Sequence, residues 1–110
     1  MPFLFSYGTL RDPAVQRAKF GRELRGRVDH LPRYAMRIVE ITDPGVVAVS
    51  GSAHHPIAVE TGAEGDRVPG EVFEVTDEEL AAADDYEVDA YRRVLRPLGS
   101  GTQAWVYVSA

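Results

Sequence analysis

Apolar and polar positions change period several times along the chain, and each change marks an element. Pro2 to Ser6 holds three consecutive apolar residues, Phe3-Leu4-Phe5, and then meets Tyr7-Gly8, the pattern of a short buried strand ending in a sharp loop. Asp12-Pro13 follows, a capping residue before a proline at the first helical position, where a missing N–H does no harm. The helix it opens is expected over Pro13 to Phe20, stopping at Gly21. From Gly26 to Ile41 the period is two: Tyr34, Met36 and Ile38 fall on one face and Ala35, Arg37, Val39 and Ile41 on the other. Pro32 divides this run into two strands. Asp43-Pro44-Gly45 signals a turn, Val46 to Val49 a short strand, and Ile57 to Val59 another, entered through the extended pair His55-Pro56. Gly62 to Pro69 reads as a polar loop.

Glu71 to Val75 returns to a strand pattern, and Thr76 with Glu79 three residues on forms a capping box. A helix is expected from Asp77 to Tyr86 or Glu87. Arg92 to Leu98 and Ala104 to Val108 read as strands joined in a hairpin through Gly99-Ser100-Gly101. About seven short strands and two helices within 110 residues imply one domain over residues 1–110, of the α+β class, with a strongly curved or closed sheet.

Composition narrows the chemistry. Hydrophobic residues at 45% and charged residues at 26% match an ordinary globular protein and exclude disordered and coiled-coil readings. Cysteine is absent, which excludes disulfides, thiolate metal ligands and thiol nucleophiles, and suits a cytoplasmic location. The net charge of −5 is uneven: the first 37 residues carry eight basic and three acidic side chains, the remainder four and fourteen. The arginines stand singly without interleaved aromatics on an acidic molecule, so nucleic acid is not an expected partner. No apolar run approaches the ~20 residues of a spanning helix, and no membrane association is expected.

Several motifs fail on context. Gly99-Ser100-Gly101-Thr102-Gln103-Ala104 copies the spacing of a dinucleotide-binding loop but lacks a following helix, so it reads as a turn. His30, His54 and His55 have no recognisable ligand spacing, so neither a metal nor another cofactor is expected. Glu87 is more informative. On the second helix Leu80, Ala83 and Glu87 lie at i, i+3 and i+7, which turns a carboxylate toward the apolar face. Desolvation, the helix C-terminus and the neighbours Asp84, Asp85 and Asp89 are all expected to raise its pKa toward that of a general base. A solvated acidic helix end is the plainer alternative. The loop Tyr7-Gly8-Thr9-Leu10 is its natural partner, because Gly8 allows close backbone approach and successive N–H groups there could hold an anion.

Taken in order, Phe5-Ser6-Tyr7-Gly8-Thr9-Leu10, Pro69-Gly70-Glu71-Val72-Phe73-Glu74-Val75, Ala83-Asp84-Asp85-Tyr86-Glu87, Tyr91-Arg92-Arg93-Val94 and Ala104-Trp105-Val106-Tyr107-Val108 resemble the gamma-glutamylcyclotransferase-like family. That family includes gamma-glutamylamine cyclotransferases and plant AIG2-like proteins. The resemblance implies a small mixed β-barrel of six to seven strands flanked by two short helices, with a pocket at one end. It implies that Tyr7, Gly8, Thr9 and Leu10 grip a small-molecule γ-glutamyl substrate and that Glu87 is the catalytic acid/base, with Asp84 matching the family's aspartate. His55-Pro56-Ile57-Ala58 matches the family's aromatic-proline-alanine strand, with histidine in the aromatic place. Two positions depart: Val88 stands where the family has glycine, and Ala83 replaces a leucine, which is expected to loosen the pocket wall. The implied reaction is cyclisation of a γ-glutamyl amine or peptide to 5-oxoproline. A non-catalytic module that keeps the pocket for a small ligand is the alternative, and the stretch Gly62 to Pro69 with the barrel mouth is expected to select the leaving amine. Oligomeric state is open at this level.

Overall fold

The computed structural model describes residues 1–40, 54–87 and 90–110. The expected turn Asp43-Pro44-Gly45, the expected strand Val46 to Val49, and Val88 and Asp89 lie outside them, as do the side chains of His54 and His55. Seven strands and two helices are present among the described residues: β1 (Phe3–Ser6), α1 (Pro13–Phe20), β2 (Gly26–Pro32), β3 (Tyr34–Glu40), β4 (His54–Glu60), β5 (Arg67–Glu74), α2 (Asp77–Tyr86), β6 (Tyr91–Pro97) and β7 (Gln103–Ser109). A single 3-10 turn, Thr9–Arg11, sits between β1 and α1. No helix among the described residues is long and apolar enough to cross a membrane.

The strands form a five-stranded sheet, in the order β2-β5-β1-β7-β6, and a two-stranded sheet of β3 and β4. Within the larger sheet β1 runs parallel to β7 and antiparallel to β5, so the sheet is mixed. The expected barrel is therefore an open one, strongly curved but not closed by hydrogen bonds among the described residues.

Period-two alternation divides the core into two layers. On one face of the large sheet Phe5, Val68, Val72, Val106 and Val108 pack with Tyr34 and Ala58 of the small sheet. On the other, Leu4, Phe73, Val75 and Tyr107 pack with Leu80 and Ala83 of α2 and with Leu10. Both helices begin as their caps dictate. Asp12 accepts the N–H of Ala14, and Thr76 and Glu79 form the reciprocal capping box. Glu79 also takes both arms of Arg22, at 2.7 and 2.8 Å, which ties the start of α2 to the segment after α1.

The start of β5 differs from expectation. β5 begins at Arg67, so Arg67 to Pro69 belong to a strand and not to the expected loop. Pro69-Gly70 looks like a strand breaker, yet β1 pairs with β5 only over Glu71 to Glu74, leaving Pro69 at a local edge where no N–H is needed on the β1 side. Gly70 is required there: a Cβ would overlap the Ser6 carbonyl oxygen and the Phe5 ring. The chain leaves the large sheet for the small one at Arg33, which turns left-handed at φ 69° and is held by Asp66, Thr61 and Gly62.

One buried hydroxyl bonds to both sheets at once. Tyr7 donates to the Tyr107 carbonyl of β7 at 2.6 Å and accepts the Ala58 N–H of β4 at 2.9 Å. Replacing it with phenylalanine leaves a buried donor and a buried acceptor unpaired, an expected loss of about 2–4 kcal/mol. Urea unfolding of Tyr7→Phe checks this, and a change below about 0.5 kcal/mol would show that the hydroxyl does not join the layers.

Candidate active site

Where β1 ends, the strand order and the capping of α2 bring separate segments to one narrow cavity. Its volume is about 380 Å³, open mouth included. Phe5 and Ser6 of β1 and the whole loop Tyr7-Gly8-Thr9-Leu10 form one wall. Pro56 of β4, Tyr91 of β6, Tyr107 of β7 and Glu87 complete it.

Glu87 arrives there because α2 stops at Tyr86. Its own backbone is extended, at φ −78° and ψ 144°, while its N–H still closes the last helical bond to the Ala83 carbonyl. The helix end is fixed on the loop by Tyr86, whose hydroxyl shares a 2.7 Å hydrogen bond with Thr9 Oγ1. Lys19 of α1 lies over the Tyr86 ring, 5.4 Å from its centre. The carboxyl of Glu87 is thereby held against an aromatic wall, and burial pushes its pKa up to about 7. Burial is the cause that acts. Of the neighbouring carboxylates expected to contribute, Asp89 lies outside the described residues, and Asp84 is turned elsewhere: it accepts the Tyr107 hydroxyl at 2.7 Å and pairs with Arg93 at 3.4 Å.

The phenols around Glu87 are raised as well. Burial is the largest cause for Tyr7, Tyr91 and Tyr107, and the Glu87 carboxylate adds to each. All three therefore stay protonated near neutrality and present no charge of their own to the cavity. Two are occupied by main-chain groups: Tyr7 by Tyr107 and Ala58, as above, and Tyr91 by the Pro56 carbonyl at 2.8 Å.

Of the residues expected from the sequence, Tyr7, Gly8, Thr9, Leu10 and Glu87 all line this cavity. Tyr7 contributes its ring and main chain, since its hydroxyl is taken. Leu10 is buried in the core and closes the floor. Ala83 is placed differently from expectation: it lies fully buried against Leu4 and Leu80 and forms no part of the cavity wall. The stretch Gly62 to Pro69 does not line the cavity either. Tyr91 and Tyr107 were missed, although both lie in strands whose alternation could have placed them. Among the described residues no group of three His, Asp or Glu is arranged to hold a metal ion.

Comparison with known proteins bears on this fold. Two Arabidopsis thaliana proteins with solution structures superpose with TM-scores of 0.71 and 0.73 at 23% and 21% identity. Each match covers 98% of this chain, which spans 61% and 68% of the two plant chains. A Pyrococcus horikoshii crystal structure, titled only as an uncharacterized protein, matches with a TM-score of 0.65 and 21% identity over 99% of this chain and 78% of its own. No curated protein matches. The family model described as gamma-glutamyl cyclotransferase, AIG2-like, matches residues 4–110, and by that match the chain belongs to this family.

Proposed function

We propose that the protein is a gamma-glutamylcyclotransferase that converts a γ-glutamyl amine or γ-glutamyl peptide to 5-oxoproline, with Glu87 as general acid/base. One observation carries this reading: the carboxyl raised to about 7 by burial and the Tyr7 to Leu10 loop line the same narrow cavity. Family membership supports it.

The chemistry asks little of the protein. The substrate's α-amino nitrogen attacks its own γ-carbonyl carbon, the lactam C–N bond forms, and the C–N bond to the leaving amine breaks. Nucleophile and electrophile belong to one molecule, so the pocket contributes chiefly by holding the folded conformer that brings them together. The α-ammonium must first lose a proton. Glu87 accepts it and returns it to the departing nitrogen, and the second proton that the attacking nitrogen sheds as the lactam forms is taken up by the freed amine, which leaves as an ammonium; the shuttle works best when the carboxyl titrates near the working pH. Backbone N–H groups of the Tyr7 to Leu10 loop hold the substrate's α-carboxylate or the oxyanion that develops at the γ-carbonyl. The protonated phenols of Tyr91 and Tyr107 keep the wall uncharged, so the ionisation of Glu87 remains governed by burial.

Release of 5-oxoproline from a panel of γ-glutamyl amines and peptides tests the activity. Glu87→Gln, similar in shape but unable to shuttle the proton, should lower kcat by about 10²–10⁴-fold; equal activity would remove Glu87 from the role of base. Saturable binding of 5-oxoproline without turnover of any member of the panel would favour the binding-module alternative. The pH profile gives a second check. The base works as carboxylate, so kcat/KM should fall below about pH 7, where Glu87 becomes protonated, and level off above it. A limb near 4.5, the ordinary glutamate value, would assign the proton transfer to a solvated carboxylate instead.

A further inference from the structure

The loop that faces Glu87 is itself held from behind. Arg11 turns its guanidinium back on the chain: Nη2 donates to the Tyr7 carbonyl at 3.0 Å and Nε to the Gly8 carbonyl at 3.2 Å. The Gly8 carbonyl also accepts the Arg11 main-chain N–H at 3.1 Å, closing the 3-10 turn. None of the ion pairs among the described residues includes Arg11. A cation thus sits on two consecutive peptide units of the loop.

Both peptides are trans, so each carbonyl and the N–H that follows it point in opposite directions. The N–H groups opposed to the held carbonyls are those of Gly8 and Thr9. Ser6, Gly8 and Thr9 all line the cavity, and the Gly8 N–H meets Ser6 Oγ there at 3.3 Å. Hydrogen bonds from a guanidinium polarise the peptides they touch and strengthen the donors at the other end. They also fix the orientation of both N–H groups before any ligand arrives.

We propose that Arg11 is a positioning residue that sets how strongly the Gly8 and Thr9 N–H groups hold a carboxylate in the cavity. The proposal takes the identity of that carboxylate, the α-carboxylate of a γ-glutamyl substrate or of 5-oxoproline, from the cyclotransferase reading; the arginine's part in holding an anion stands apart from turnover.

The test is a titration of the ¹⁵N-labelled protein with 5-oxoproline and, separately, with acetate, following the Gly8 and Thr9 amide signals. In the wild type both signals should move. Arg11→Met should weaken both ligands by about tenfold. Arg11→Lys should recover part of this, being weaker than wild type by about threefold, because an ammonium can reach one carbonyl but cannot fork across two. In turnover the same variants should raise KM in that order with kcat within about twofold of wild type, a split that a general loss of folding would not produce. Should Arg11→Met not fold, Arg11→Lys decides, and wild-type affinity in it would overturn the proposal. Unmoved amides in the wild type, or undiminished binding by Arg11→Met, would overturn it too, even with turnover intact and the enzyme reading standing. Acetate binding that depends on Arg11 in a protein without turnover would sustain the proposal and sink the enzyme reading.

Discussion

The hydroxyl of Tyr7 is the point on which the rest of the arrangement depends. It closes two buried hydrogen bonds at once, to a carbonyl of the large sheet and to an N–H of the small one, in a layer otherwise made of apolar side chains. Buried main-chain groups tolerate few unpaired partners, so the two sheets can meet here only with that hydroxyl between them. Its main chain opens the loop at the end of β1. The contact that seals the core therefore also fixes the first residue of the cavity, and Gly8 and Thr9 follow from it with little freedom left.

Cavity shape then controls charge. Glu79 and Glu87 lie eight residues apart, one in the first turn of α2 and one just past its last, and their environments push them in opposite directions. Glu79 is bound by Arg22 and by the cap at Thr76, and its pKa is lowered, the Arg22 hydrogen bonds being the largest cause. Glu87 faces tyrosines whose own hydroxyls are largely engaged by main-chain groups and Asp84, and burial raises it. The same residue type is held as a bound anion at one end of the helix and, at the other, is the proposed proton carrier. Asp84, between them, orients Tyr107 through its hydroxyl and draws Arg93 toward itself. Arg93 in turn stacks over Trp105, 4.7 Å from the ring centre.

Much of this was legible in the chain before any coordinates. Asp12-Pro13 with Gly21 gave both ends of the first helix, and Thr76 with Glu79 gave the start of the second, because capping is decided by residues within four positions of one another. Glu87 and the Tyr7 to Leu10 loop were legible as candidates, one from helical spacing and one from its glycine. The start of β5 was not, since Pro69-Gly70 carries the local signature of a break and only the short reach of β1 makes it tolerable. Nor was the source of the Glu87 environment. Crowded acids in the sequence suggested charge repulsion, whereas the aromatic wall comes from Tyr91 and Tyr107, on strands that meet it only through tertiary packing. The engagement of Tyr7 by two sheets is likewise a contact across 51 and 100 residues, beyond any local pattern.

A narrow, tyrosine-lined cavity around Glu87 is expected to hold its carboxyl ready to exchange a proton near neutrality. The most direct measurement is a ¹³C NMR titration of the Glu87 side-chain carboxyl in the folded protein. A midpoint of about 7 is the expected result, and a midpoint at the ordinary glutamate value of 4.5 would show that the cavity does not tune this carboxyl.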